Sequence, residues 1–233
     1  MRARAVLREM DRRDWCKAVR EFAIRIPSEG HVGWETLERG AVLLSSMHRM
    51  GSVDVRRMAA TLNRHAADLQ RRIAGKSTLT IARLLSGYLA GRHGYRGSRS
   101  SFFNASNVNI DTVVEQRLGV PVSLSLIYML VGRRAGLQIT GVAIPDHFLV
   151  RVHGQKPVLL DPFHEGRSVT KADCIRYMRQ AGYGLHTSSY LEDVSDRQVL
   201  AHLVRNLSRV YGYREDNDSC TVLESARQAL MGS

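Results

Sequence analysis

The chain has 233 residues, of which 44% are hydrophobic and 24% charged, a composition typical of a globular protein with a substantial core. No apolar run approaches the roughly 20 residues that cross a bilayer, and acidic residues interrupt the arginine-rich start, so we expect a cytoplasmic protein with no membrane contact. Cys16, Cys174 and Cys220 are widely spaced and odd in number, which argues against a disulfide framework and against a zinc finger.

The formal net charge is +12, and only four of the 34 basic residues are lysines. Guanidinium groups suit phosphate and carboxylate recognition, so nucleic acid stays open as an alternative partner. The arginines are scattered along the whole chain, however, and no recognised nucleic-acid motif accompanies them.

Apolar residues recur at helical spacing through the first ninety positions. Ser52 or Asp54 can cap one of these helices, and Ser77 or Thr78 can cap the next. Helices are predicted over residues 14–26, 34–50, 55–73 and 78–91.

Residues 93–109 are rich in glycine, serine and asparagine, which predicts an ordered loop with Tyr95, Phe102 and Phe103 as anchors. A short helix follows over residues 110–117. Glu115 and Arg117 then lie beside the next turn, either as binding residues or as a buried ion pair that holds this turn.

The next helix, from Pro121 to Ala135, is apolar around its whole circumference. Such a helix must be surrounded by protein, so we expect it at the centre of the fold. Pro121 suits a first helical position because its missing N–H costs no hydrogen bond there, and Gly136 ends the helix.

Three short runs rich in β-branched residues follow over residues 137–144, 147–153 and 156–161, and they predict an antiparallel sheet with a hairpin at Gly154. In a tight register of that hairpin, Asp161 falls within about one residue of the position opposite His147. The spacing therefore predicts a His–Asp pair on neighbouring strands.

The chain ends in further helices, for which Thr170, Ser195 and Ser219 are the predicted first residues or caps. We expect a helical N-terminal region over residues 1–92, a core over 93–182 and a helical tail over 183–233, all in one compact unit. The fold class is thus α+β.

A histidine with an aspartate beside the start of a buried helix is two-thirds of a nucleophilic triad. The start of this helix carries no cysteine, and Ser123 is the best substitute nucleophile. Serine is also common in the first turn of a helix as a purely structural residue. Cys174 is too distant in sequence to be assigned a place near His147.

A series of short motifs extends over residues 107–166. Its members are Asn107, Ile110, Glu115, Arg117, Gly119, Val120, Pro121, Leu124, Tyr128, Arg133, Arg134, Gly136, Gly141, Pro145, His147, Phe148, Leu149, Val150, Arg151, Asp161, Pro162, Phe163 and Gly166. The series resembles the SirB-type transglutaminase-like proteins of bacteria, whose core also occurs in some eukaryotic F-box proteins. The resemblance implies a transglutaminase/papain-like core, in which the buried helix packs on a small antiparallel sheet, without the obvious catalytic cysteine.

The leading hypothesis is a binding or regulatory protein without cysteine-dependent catalysis, which binds a peptide or protein in a cleft at His147 and Asp161. The alternative is an amide hydrolase or acyl transferase with Ser123, His147 and Asp161 as its catalytic residues.

The other predicted binding residues are Glu115, Arg117, Asp146 and Phe163. Asp146 departs from the family pattern, in which glycine commonly precedes the histidine. No cofactor is expected. No metal is expected either, because the histidines near Asp146 lack a tight ligand spacing such as HxxxH.

Overall fold

The computed structural model describes residues 2–47, 53–98, 104–183 and 190–232, with side chains from residue 12 onward. Ser52, Phe102, Phe103 and the predicted end of the second helix at Met50 lie outside these ranges. The helices are α1 (Arg2–Arg25), α2 (Trp34–Ser45), α3 (Val55–Ile73), α4 (Thr78–Ser86), α5 (Ile110–Gln116), α6 (Pro121–Arg134), α7 (Lys171–Gln180), α8 (Asp196–Tyr213) and α9 (Asn217–Met231).

Local capping explains where several of these helices begin. The Asp54 carboxylate accepts the backbone N–H of Arg57 at 3.0 Å, and the Ser77 hydroxyl accepts that of Thr80. Thr170 and Ser195 each form a reciprocal capping box with the residue three positions on. These predicted starts are confirmed, whereas the last helix begins two residues before Ser219.

The predicted antiparallel sheet is confirmed, with its four strands in chain order. The fourth strand, β6, and a short parallel pair, β1 with β2, were not predicted, because two or three residues show no periodicity. The strands are β1 (Arg96–Gly97), β2 (Leu118–Gly119), β3 (Ile139–Ile144), β4 (His147–Val152), β5 (Val158–Asp161) and β6 (Arg167–Val169).

The register of the β4–β5 hairpin differs from the predicted one by a single residue. Val150 pairs with Leu160, so the register continues with Asp161 opposite Leu149, two positions from His147. The cause is a connection longer than a two-residue turn. His147 and Asp161 still meet, because side chains two residues apart share one face of a sheet and diagonal neighbours are within reach.

Helix α6 is the centre of the molecule, as its sequence predicts: every residue from Pro121 to Gly132 is buried. It packs against β3 and β4 on one side and against α2 and α3 on the other. One hydrophobic core contains side chains from every one of these α-helices except α7, and a smaller cluster under α7 covers the opposite face of the sheet. The α+β fold class is therefore confirmed.

Two arginines at the end of α6 attach it to the rest of the chain. Arg133 donates two hydrogen bonds, at 2.7 and 2.8 Å, to the carboxylate of Asp196, which is 1% exposed. Asp196 also accepts the backbone N–H of Val32 at 2.7 Å. Arg134 pairs with Glu38, and its guanidinium lies 3.7 Å from the ring centroid of Trp34. Both arginines therefore join separate segments of the chain.

No helix within the described ranges is long and apolar enough to cross a membrane.

Candidate functional site

His147 is the first residue of β4 and follows a short turn in which Asp146 adopts a left-handed conformation, with φ of 54°. Aspartate tolerates this conformation better than most residues because its short side chain can hydrogen-bond locally. The His147 side chain is 11% exposed, and its Nε2 lies 2.9 Å from Oδ1 of Asp161. The fold therefore brings the predicted His–Asp pair together.

Asp161 ends β5 and is 2% exposed. Its Oδ2 lies 2.7 Å from Nδ1 of His164 and 3.5 Å from the guanidinium of Arg167. Burial by itself raises the pKa of this carboxyl group, but hydrogen bonds and positive charge from His147 and His164 outweigh burial and lower the pKa to about 2. An ionised carboxylate only accepts hydrogen bonds, so Nε2 of His147 carries a proton and Nδ1 is the second polar atom of the ring.

The ligand-type atoms of His147, Asp161 and His164 all lie within 4.8 Å of one another, although their spacing in sequence predicted no metal site. A cation bound here would displace the imidazole protons that Asp161 accepts. It would also stand near the positive charge of Arg167. We therefore assign these contacts to a hydrogen-bonded network that holds the two imidazole rings.

A cleft extends to both sides of His147. One part, the apolar pocket, has a volume of about 210 Å³, and the other, the arginine pocket, about 370 Å³. Both parts share Pro121, Ile144, Asp146 and His147. The apolar pocket is further lined by Leu149, Phe163, Val169, Cys174 and Tyr177. The arginine pocket is further lined by Tyr183, Tyr190, His202, Arg205 and Arg209.

Ser123 lines neither pocket. It is fully buried, and its hydroxyl lies 2.7 Å from the carbonyl oxygen of Asn107 and 3.0 Å from that of Val120. Both Ser123 and His147 are within the described part of the chain, and no hydrogen bond joins them. The residues of α6 that share the cleft with His147 are instead Pro121 and Val122, the first two of the helix.

Cys174, which sequence reasoning did not place near His147, lines the apolar pocket. It comes from α7, which covers the outer face of the sheet, and no local pattern indicates that contact. The residue is 4% exposed, and burial raises the pKa of its thiol. A buried thiol with a raised pKa is a poor nucleophile, because the thiolate is the reactive form.

Asp146 and Phe163, two of the predicted binding residues, both lie in the cleft. The Asp146 carboxylate accepts a hydrogen bond from the Tyr183 hydroxyl at 2.7 Å and one from Arg209 at 3.3 Å. These bonds lower the pKa of Asp146. The Phe163 ring meets the His147 ring edge-on, with 5.9 Å between their centroids. The charge of Asp146 is thus directed at Tyr183 and Arg209.

Glu115 and Arg117 lie elsewhere, at a second cavity of about 560 Å³ that His65 and Tyr88 also line. Glu115 pairs with Arg57 at 3.0 Å, and both side chains are more than half exposed. Arg117 ends α5 in a left-handed conformation and is exposed. The interpretation of Glu115 and Arg117 as a buried ion pair is therefore wrong.

Lowering the pH from 7 to 4.5 is expected to reduce the free energy of unfolding by about 2 kcal/mol for each of two histidines, the buried His65 and the partly buried His202. Burial, with nearby positive charge, lowers the pKa of each from 6.5 to about 4. The unfolded chain binds these protons below pH 6.5, so the stabilisation is complete above pH 6.5 and is lost as the pH falls toward 4.

Urea denaturation at pH 7 and 4.5 measures this effect. An NMR titration of the histidine Cε1 protons measures the pKa of each ring in the folded protein and so shows whether these two histidines cause the loss of stability. The prediction fails if His65 and His202 both titrate near pH 6.5 in the folded protein.

The fold and the cleft together define a protein with a transglutaminase-like core and a His–Asp pair, without a cysteine at the start of its central helix. The sequence model of the transglutaminase-like superfamily matches residues 56–205, more than half of the chain, and the chain belongs to that superfamily. No solved structure matches the chain.

Two curated relatives show how far the similarity extends. A UPF0162 protein of Xylella fastidiosa is 33% identical over 130 residues, which are 53% of this chain and 46% of that protein. F-box only protein 21 of Mus musculus is 31% identical over 134 residues, which are 53% of this chain and 20% of that protein. The chain thus spans less than half the length of these relatives.

Proposed function

We propose that this protein is a SirB-type member of the superfamily that binds a peptide, or an extended segment of a protein, in the cleft at His147 without catalysing a reaction on it. The observation that carries the proposal is the position of His147. Its ring is held by Asp161 where two pockets of different polarity meet. Pro121, the first residue of α6, lines both pockets beside it. The cleft therefore offers recognition groups, and the thiol of Cys174 in its lining is buried, with a raised pKa that makes it a poor nucleophile.

The contacts of Ser123 argue against the alternative of a serine hydrolase. In a triad, the hydroxyl donates its proton to the histidine that acts as base. A serine hydroxyl has a single proton, and for Ser123 two backbone carbonyls compete for it. Full burial also denies a substrate access to this oxygen. These contacts favour a structural role for Ser123 in the first turn of α6.

Exchanging His147 for alanine is expected to weaken peptide binding about tenfold, because a hydrogen-bonding ring between the two pockets is lost. Ser123→Ala is expected to leave binding unchanged. The measurement is the retention of synthetic octapeptides by the immobilised protein, followed by titration calorimetry on the peptides retained. Circular dichroism must show that both variants are folded.

Mass spectrometry of the same peptides after incubation tests for catalysis. We expect unchanged masses. Cleavage or acyl transfer that the Ser123→Ala variant loses would contradict the proposal and support the hydrolase.

A further inference from the structure

The arginine pocket has an excess of positive charge that the fold itself does not neutralise. Helix α8 presents His202, Arg205 and Arg209 to it, at positions i, i+3 and i+7 of one helix face. Asp146 is the only acidic residue among the described residues that line this pocket. The lining therefore carries two guanidinium groups and one carboxylate.

The single carboxylate is already engaged. Asp146 accepts from Tyr183 at 2.7 Å and from Arg209 at 3.3 Å. Across the residues that the structure describes, no carboxylate lies within ion-pair distance of Arg205, and its side chain is exposed. Arg205 is thus a cation at the cleft whose charge is not paired within this part of the chain.

His202 does not add to this charge at neutral pH. Burial, together with the charges of Arg205 and Arg209, lowers its pKa to about 4, so the ring is neutral. Its ring packs edge-on against Phe148, with 5.3 Å between the centroids. His202 therefore offers an uncharged hydrogen-bonding group beside the two guanidinium groups.

The apolar pocket, on the other side of His147, has the opposite charge balance. Asp161 and Asp173 line it together with a single arginine, Arg167, Asp146 is shared with the arginine pocket, and the remaining lining is mainly apolar. An anionic group is therefore repelled from the apolar pocket and attracted to the arginine pocket. An apolar side chain is favoured in the apolar pocket. The cleft is chemically asymmetric about His147.

We propose that the cleft binds an extended peptide with a carboxylate at Arg205 and an apolar side chain in the apolar pocket. This inference rests on the proposed peptide-binding function and names the class of peptide. Because both pockets include His147, and extended residues follow one another at about 3.4 Å, the two groups are one to three residues apart in the peptide.

A positional-scanning library of octapeptides, acetylated and amidated at the ends, tests this specificity on the full chain. Peptides with Asp or Glu one to three residues from an apolar residue are expected to be retained about tenfold better than their Asn or Gln counterparts. The same library with free C-termini distinguishes a side-chain carboxylate from a terminal one, and either result supports the inference. Equal retention of acids and amides overturns it.

The second part of the experiment repeats the library screen on the Arg205→Glu variant. This exchange is expected to abolish the preference for Asp and to favour Lys at the same peptide position. Arg83→Glu, at an exposed position on α4 outside the cleft, changes the net charge equally and is expected to bind like the unchanged protein. An equal loss in both variants overturns the inference, because net charge alone would then explain binding.

Two further outcomes are distinguishable. Retention of peptides with no preference for acids contradicts this inference but leaves the proposed function standing, whereas no retention of any octapeptide contradicts both. A labelled DNA oligonucleotide serves as competitor. Displacement of the retained peptides by DNA that disappears in Arg205→Glu would assign the charge to nucleic acid and overturn the inference.

Discussion

Replacing Asp196 with alanine is expected to lower the free energy of unfolding by about 3–5 kcal/mol. Asp196 is 1% exposed and accepts two hydrogen bonds from Arg133 and one from the backbone of Val32. Its removal leaves the Arg133 guanidinium, which is 10% exposed, without its carboxylate. The large cost is that of an uncompensated buried charge, together with the lost attachment of Val32 to α8.

Urea denaturation followed by the fluorescence of Trp15 and Trp34 measures the loss. Glu224→Ala is the matched control, because it removes a carboxylate from a partly exposed pair with Arg227 one helical turn away. Such pairs contribute little, typically within about 0.5 kcal/mol. A loss below about 1 kcal/mol for Asp196→Ala would contradict the assigned role, because removing the partner of a buried charge has a larger cost than that.

Gly166→Ala is expected to destabilise the protein by about 2–4 kcal/mol. Gly166 has φ of 69°, and a Cβ atom there would lie 2.6 Å from both Oγ of Ser86 and the hydroxyl oxygen of Tyr128. Neither atom can retreat easily, because Ser86 donates a 2.6 Å hydrogen bond to the Gly166 carbonyl and Tyr128 is fully buried. The backbone N–H of Gly166 also binds the carbonyl of Asp161 at 2.8 Å. A displacement of the Gly166 backbone would therefore also affect Asp161, which lines the apolar pocket.

Gly136→Ala is the control that separates the cost of the left-handed backbone from the cost of the steric contacts. Gly136 has φ of 85°, and no atom lies within 4 Å of the position that an alanine methyl group would take there, so only the left-handed backbone is penalised, at about 1 kcal/mol. The difference between the two variants in thermal or urea denaturation measures the steric contribution. Equal losses would show that Ser86 and Tyr128 move aside, and that the packing around Gly166 does not constrain Asp161.

The two pockets of the cleft are formed by two different helices. The apolar pocket forms where α7 covers the outer face of the sheet, and the arginine pocket forms between α8 and the start of β4. His147 lies between the two pockets because it is the first residue of β4, directly after the β3–β4 turn. The His–Asp pair by itself fits a hydrolase as well as a binding protein, and its surroundings favour binding.

Several features could be predicted from the sequence because their causes are local. The caps at Asp54 and Ser77 depend on residues three positions away, and the burial of α6 follows from its lack of a polar face. The His147–Asp161 pair also falls in this class, because a short hairpin restricts the possible registers. The pair still meets in the observed register because Asp161 falls opposite Leu149, two positions from His147, and side chains two residues apart share one face of the sheet.

The remaining features depend on contacts between residues distant in sequence. Nothing near Ser123 indicates that its hydroxyl meets the carbonyl of Asn107, and nothing near Cys174 or Arg205 indicates that they line the cleft of His147. Periodicity predicts which face of a helix is buried, but not which partner covers it. The sequence by itself therefore determined most of the helices, the strands β3, β4 and β5, the α+β class and the His–Asp pair. Only the tertiary structure decided which side chains surround that pair, because helix packing sets those contacts.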